Sequence, residues 1–369
     1  MTDHEALLAV VRESPDDDLP RLVYADWLDE NGGGERAAFI RAQVEAARAE
    51  PHSPEAREAN DRAAALLTPT NRDEWTWNLR GLVLDVGFER GFPHHATVDA
   101  GQFPDVAEEL FAAEAIRSLR LHRPPPSRSE FEVLMQPALA VQQLERLDSL
   151  DLQFLELVNA DLMDLAESGP LANLKSLSLR GNPIPPLWIE EMLEGGYWSE
   201  LRELNLADIP NLGPALARQF PHLGDDHRFT KLDLSGIAFR SNQLKRVVES
   251  DCVSQLEELH MRWHGGAMLP GALTHLELSY VLPWERLRVL DLEGQGVGTE
   301  GVREIVKRDH AASLRWLGLA RNHIGSDGVT LLCDDPDLFL FVLDVRMNEL
   351  RPAEIARLRA RFPEATVLA

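Results

Sequence analysis

Residues Leu314 to Ile324 read LRWLGLARNHI, and the chain from about residue 112 onward can be laid out in register with them. Leucines stand at Leu314, Leu317 and Leu319, followed by Asn322 and Ile324. The middle piece alternates apolar and other residues, as a strand with one buried face does. Asn322 falls where the chain leaves that strand. Its amide can satisfy backbone groups that would otherwise be orphaned inside a stack. The same middle leucine recurs at Leu119, Leu150, Leu177, Leu204, Leu232, Leu259, Leu276, Leu290, Leu317 and Leu343, at spacings of 31, 27, 27, 28, 27, 17, 14, 27 and 26 residues. A unit of 26 to 28 residues holds a strand, a turn, a helix of about ten residues and a return loop. Asn182, Asn322 and Asn348 occupy the amide position, Gln295 replaces it once, and Ile209 and Ile237 leave it apolar.

Two connections depart from the period. Between His122 and Leu144 the chain carries Pro124-Pro125-Pro126, a stiff start, and then helical spacing from Phe131 to Val141. Between Leu259 and Leu290 the register yields two short units containing Gly265, Gly266, Pro270, Gly271, Pro283 and Trp284, with no room for a full helix in either. The expectation is that these short units continue the sheet and bend or flatten it.

This periodic part resembles the ribonuclease-inhibitor class of leucine-rich repeats. The resemblance covers about two thirds of the chain. It implies an α/β solenoid, curved because outer helices are wider than inner parallel strands, and it implies binding of another macromolecule, usually a protein, through the concave face. At the end of the chain, Pro352 opens a helix with Ile355, Leu358 and Phe362, and residues 363–369 add a short edge strand.

The first 50 residues read as a helical module. Thr2 or Asp3 caps a helix with Leu7, Leu8 and Val11, and Ser14-Pro15 stops it. Asp16, Asp17 and Asp18 favour the positive end of a second helix, with Pro20 in its first turn. Its apolar face is expected at Leu19, Leu22, Val23 and Trp27, flanked by Tyr24 and Leu28. A glycine turn and a third helix through Phe39, Ile40 and Val44 follow. The run SPDDDLPRLVYADWLDENGGGERAAFIRAQVE resembles the repeat-companion domain of planctomycete and myxobacterial proteins. It matches at Asp18, Leu22, Tyr24, Ala25, Asp26, Trp27, Leu28, Glu30, Arg36, Ala37, Phe39, Ile40 and Gln43. That likeness implies a bacterial architecture of a small module ahead of repeats, and no catalytic residues.

Residues 51–112 are read as an adaptor that covers the open first face of the solenoid, giving three parts: 1–50, 51–112 and 113–369. The adaptor contains a helix from Glu55 to Leu67, two strands around Leu82–Phe88 and Ala96–Ala100, and a helix from Phe103 to Ala113. Trp75 and Trp77 are assigned to core packing, since too few basic residues accompany them for a nucleic-acid platform. His94 and His95 are adjacent on an expected strand, so they should face opposite ways and share no metal.

The formal net charge of −24 over 369 residues disfavours nucleic acid and anionic membranes and suits a basic protein partner. No signal peptide or membrane span is visible at the N-terminus, so a cytoplasmic setting is expected. Cys252 and Cys333 lie about three repeats apart and are read as unpaired. Phosphate loops, nucleophile elbows and H-E-x-x-H are missing, which points away from catalysis; no cofactor and no metal are expected.

On the concave face the residues flanking the leucines include a central acidic column, Asp151, Asp233, Glu277, Asp291 and Asp344, with Glu293 beside it. Glu277 and Asp291 would be strand neighbours. Trp316 offers an aromatic anchor, and His260 and Arg262 share the face. His260 and His275, with Glu258 and Glu277, would bind zinc only by converging, which a flat strand face disfavours. The reading is noncatalytic protein recognition through Trp316, Asp291, Glu293, Glu277, Asp233, Asp344, His260 and Arg262. One alternative is a scaffold that joins two partners through the N-terminal module and the repeats. Another is an enzyme at the junction of module and adaptor that uses Tyr24, Asp26 or Glu30.

Overall fold

The structure is a computed structural model that describes residues 2–123, 135–157, 159–195, 199–223, 227–263, 285–306 and 309–369. The chain divides into two compact units, Met1–Asp151 and Leu152–Ala369.

The first unit begins with helices α1 (Asp3–Glu13), α2 (Asp18–Glu30), α3 (Gly34–Arg48), α4 (Pro54–Leu66) and α5 (Pro69–Trp75). Thr2 caps α1 through a capping box: its hydroxyl accepts from the Glu5 N–H, and the Glu5 carboxylate accepts from the Thr2 N–H. Asp17 caps α2, its carboxylate accepting the Leu19 N–H at 2.9 Å.

The buried face of α2 is only partly the one expected: Leu22 and Trp27 pack half-buried against the core, but the face centres on residues read as flanking it. Tyr24, Ala25 and Leu28 are buried with Arg21, whereas Leu19 and Val23 are 64% and 45% exposed. Arg21 causes the rotation. Its guanidinium donates to the carbonyls of Pro15 (2.6 Å), Asp17 (2.6 Å) and Ser14 (3.4 Å), locking the loop between α1 and α2. The inward stripe therefore runs 21, 24, 25, 28, at helical spacing. Tyr24, Ala25 and Leu28 pack with Val11, Ala37, Ile40, Val44 and Phe92.

After the helices come β1 (Asp85–Glu89) and β2 (Phe92–Asp99), α6 (Phe103–Ala113), β3 (Ser118–His122), α7 (Met135–Leu139) and β4 (Ser149–Asp151). β1 and β2 form an antiparallel hairpin, and β2, β3 and β4 pair in parallel. The hairpin turn is Arg90-Gly91, both left-handed (φ 48° and 88°), the geometry whose twist matches the flanking strands. The Gly91 N–H donates to the Gln43 side chain of α3 at 2.7 Å. Arg36 of α3 lies 4.6 Å from the Trp75 ring centroid and 5.3–5.5 Å from those of Phe39, Phe88 and Phe92. Burial among these rings lowers its pKa to about 10. Trp75 thus joins the core, but Trp77 is 70% exposed, against expectation. The segment is a short helix and a 3-10 turn, not a strand, so spacing by two does not place both rings on one face.

The second unit carries β5 (Ser176–Ser178), β6 (Glu203–Asn205), β7 (Lys231–Asp233), β8 (Glu258–His260), β9 (Val289–Asp291), β10 (Trp316–Gly318), β11 (Val342–Asp344) and β12 (Thr366–Leu368). Each pairs in parallel with the next, with Leu177, Leu204, Leu232, Leu259, Leu290, Leu317 and Leu343 in register and at most 1% exposed. Between strands run α8 (Asn159–Glu167), α9 (Pro186–Glu194), α10 (Gly213–Gln219), α11 (Ser241–Val248), α12 (Gly298–Val306), α13 (Gly325–Asp334) and α14 (Pro352–Arg361). The closing edge strand is β12, paired to β11.

β8 pairs directly with β9, Leu259 opposite Leu290. The two short units expected between them, with His275, Leu276 and Glu277, lie outside the described residues. On its other side β9 pairs with β10.

The amide ladder is fully used. Asn322 donates to the carbonyls of Leu292 (2.8 Å) and Ala320 (3.0 Å) and accepts the Val297 N–H (3.0 Å). Asn348 donates to Leu319 (2.7 Å) and Val345 (2.9 Å) and accepts the N–H groups of Asn322 and Ile324. Asn182 does the same between Leu152, Leu179, Leu155 and Leu157. Gln295 reaches the Met261 carbonyl in the same role. Ile209 and Ile237 are buried apolar substitutes, and there the repeats are joined by bonds such as Asp208 N–H to Ser235 C=O and Arg262 N–H to Ser235 Oγ. Cys252 is buried and Cys333 half-buried; both are free thiols.

Candidate functional site on the open face of the repeat strands

In β5 to β11 the middle leucine points into the core, so its two neighbours point to the open face. Register places them in columns. The first runs Ser176, Glu203, Lys231, Glu258, Val289, Trp316, Val342; the second runs Ser178, Asn205, Asp233, His260, Asp291, Gly318, Asp344.

The acids of the second column have a local task. The Oδ1 atoms of Asn205, Asp233, Asp291 and Asp344 accept the N–H groups of Ala207 (3.0 Å), Ser235 (3.0 Å), Glu293 (3.2 Å) and Arg346 (3.1 Å). Each closes the turn two residues beyond its strand, the bond that Asx side chains make. The three carboxylates among them, Asp233, Asp291 and Asp344, are nearly inaccessible.

Their charges are answered within the face. Arg262 bridges Asp233 and Asp291, each at 3.5 Å. His260 lies 3.7 Å from both Asp291 and Glu258, and Lys231 pairs with Glu258 at 2.8 Å. Arg346 pairs with Asp344 at 2.5 Å and Arg321 with Glu293 at 3.5 Å. The strand neighbours of Asp291 are His260 and Gly318, and Glu277, expected beside it, lies outside the described residues. Burial opposes charge on His260, but the carboxylates of Asp291 and Glu258 outweigh it and raise its pKa to about 9. The His260 contact, against the cost of burial, holds Glu258 down at about 2, with Lys231 contributing. The imidazole is thus a cation at neutral pH.

Trp316 is half-buried, with its ring 6.4 Å from that of His260. Gly318 makes room for it. A Cβ there would stand 2.6 Å from Trp316 Cζ3 and would run into Asp291 Oδ1. The indole therefore lies along its own strand, beside the buried Asp291. Gly318 is the residue that sequence reasoning passed over; its signal was a glycine in a column otherwise made of polar side chains. The structure brings together Trp316, His260, Asp291, Arg262 and Asp233, and places Glu293 and Asp344 farther along the same face.

In the first unit Tyr24 is buried and its hydroxyl lies 2.9 Å from His4 Nε2. Asp26 pairs with Arg41 at 2.7 Å, and Glu30 is exposed. A cavity of about 230 Å³ in this unit is lined by Arg12, Pro15, Phe111, Glu114, Ala115, Ile116, Arg117 and Arg146, and by none of those three.

Parallel strands in register, buried leucines and a satisfied asparagine ladder decide the architecture. The second unit is a leucine-rich-repeat solenoid. Among solved structures the whole chain is similar to a chain in the complex of Rad7 and Elc1 from yeast, at 14% identity and a TM-score of 0.50 over 92% of that chain. A leucine-rich-repeat protein of Leptospira interrogans is matched over 68% of this chain and 89% of its own, at 16% identity and a TM-score of 0.22. No protein-family model and no curated protein matches the sequence. Among the described residues no helix is long and apolar enough to cross a membrane.

Proposed function

We propose that this protein recognises another protein, without catalysis, through the concave strand face of its repeats, with Trp316, His260, Arg262 and Asp291 at the centre of the contact. The observation that carries this is the Trp316 indole. Strand packing has no need of it, yet Gly318 admits it to the open face beside a set of prepaired charges. Aromatic anchors surrounded by polar groups are common at interface centres. Fixed ion pairs add specificity because their geometry precedes binding.

The partner that suits this face presents basic residues. The chain carries a net charge of −24, and an incoming Arg or Lys can reach Glu258 and Glu293 at the margins and stack on Trp316. A carbonyl- or carboxylate-bearing contact is left for the Arg262 guanidinium. The N-terminal segment is read as a repeat-companion-like module on the residues that carry its resemblance, several of which are packing or ion-pair residues in this structure.

The test is capture from lysate with cross-linking, comparing wild type with Trp316→Ala. The expected result is loss of a specific cross-linked band, corresponding to about 1–2 kcal/mol of affinity. An unchanged band pattern from a folded Trp316→Ala protein would sink this patch. Asp291→Ala is a poor probe, since it takes the shared carboxylate from Arg262 and His260 and the acceptor from the Glu293 N–H, and so perturbs folding as well.

A further inference from the structure

Adjacent residues of a regular strand face opposite ways, yet His94 and His95 do not behave so. The hairpin register explains it. Gly87 pairs with His95 and Phe88 with Pro93, so His94 is an extra residue on β2 with no partner on β1. A bulge of this kind breaks the alternation and re-aims side chains. Pro93, which has no N–H to give to a ladder, sits at that irregularity and was its sequence signal.

The bulge turns both imidazoles toward the end of β1. His94 Nε2 is 3.1 Å from Glu89 Oε2, and His95 Nε2 is 3.8 Å from the same oxygen. All three ligand atoms lie within 4.8 Å of one another, and the two rings meet edge to face with centroids 4.8 Å apart. Gly87 permits this: a Cβ at that position would press on the Cβ and ring of His95 at 3.1 Å. The Arg117 N–H donates to the His94 carbonyl at 3.1 Å, which anchors the bulged backbone to the next strand.

We propose that Glu89, His94 and His95 form a zinc site that clips the β1–β2 hairpin, with the fourth position of the ion open to solvent. Two imidazole nitrogens face a single carboxylate oxygen, and a cation between them would be held by all three. In a tetrahedral site with bonds of about 2.0–2.1 Å, neighbouring ligand atoms stand roughly 3.3–3.4 Å apart, a value that the 3.1 Å and 3.8 Å spacings of Glu89 from the two rings bracket. Two nitrogens and one oxygen suit zinc among the available divalent ions. The ring of His95 is half exposed, so an ion can enter from solvent and keep a water or an exchangeable ligand.

The test is calorimetric titration of the full chain with zinc chloride, together with its melting temperature with and without zinc. Wild type is expected to bind one equivalent whose loss is seen in both His95→Ala and Glu89→Gln. Each should weaken binding by more than the roughly tenfold that losing an outer hydrogen-bond partner of a metal ligand costs. Zinc should raise the melting temperature of wild type and of His260→Gln, but not of the two ligand variants. His95 is exposed enough for its alanine variant to fold, which circular dichroism checks. The proposal is overturned if wild type takes up no zinc, or if affinity and thermal shift survive both ligand substitutions, which would place the ion at another of the chain's histidines.

Discussion

The His260 imidazole stands 3.7 Å from the buried carboxylate of Asp291 on the neighbouring strand, and this pairing makes His260 a cation at neutral pH. Arg262 approaches the same Asp291 oxygen at 3.5 Å, so one inaccessible carboxylate organises two cations at the middle of the open face. The consequence is a face whose electrostatics are set before any partner arrives.

Stability should depend on pH through that pair. The folded pKa of His260, about 9, lies above the unfolded value of about 6.5. The contribution is therefore complete below about pH 6.5 and is lost as pH rises through about 9, with a size on the order of 1–3 kcal/mol. Urea midpoints measured from pH 6 to pH 10 should fall for wild type and change less for His260→Gln. Parallel curves for the two proteins would contradict the pairing.

Asn322→Ala should be among the most damaging single changes. It strips hydrogen bonds from the Leu292 and Ala320 carbonyls and from the Val297 N–H, all within the stack. A loss of about 2–4 kcal/mol is expected. The Asn322 N–H that donates to Asn348 Oδ1 belongs to the backbone and is kept in Asn322→Ala, so the double change with Asn348→Ala should cost about the sum of the singles. Chemical denaturation of the four proteins of the cycle measures both effects.

Arg21→Lys keeps the charge and removes the fork. Two carbonyls held at 2.6 Å, those of Pro15 and Asp17, need the two terminal nitrogens of a guanidinium, which a single ammonium on a flexible stem cannot replace. The expected cost is about 1–3 kcal/mol, with faster proteolysis at the loop around Ser14–Asp17. Limited proteolysis followed by mass mapping checks the site.

Gly318→Ala should displace Trp316 from its seat, at a cost of about 1–3 kcal/mol for overpacking. The useful comparison is with Trp316→Ala in the same background. If the added methyl acts only by colliding with the indole and Asp291, the double variant should recover part of the stability lost in Gly318→Ala. Thermal melts of the three proteins decide it.

The periodic part of the fold was legible because it repeats a local rule. Leucines at fixed offsets place their own strands, and a buried asparagine after each strand has few other uses. The helix at Phe103–Ala113, the capped first helix and the closing strand were likewise readable from their terminal residues and spacing. The buried face of α2 was legible only at Leu22 and Trp27, because a hydrophobic pattern carries no hint that an arginine will be turned inward by loop carbonyls.

The sequence by itself determined the solenoid, its strand register over most repeats and the amide positions, all of which follow from side-chain alternation and backbone satisfaction within one repeat. Only the tertiary structure decided what depends on neighbours across strands. It paired β8 with β9, which sets Asp291 beside His260 and Arg262. It laid Trp316 over Gly318, and it placed His94 at a bulge where two histidines meet one glutamate. These are relations between residues far apart in the chain or at a break in regular pairing, and no local periodicity encodes them.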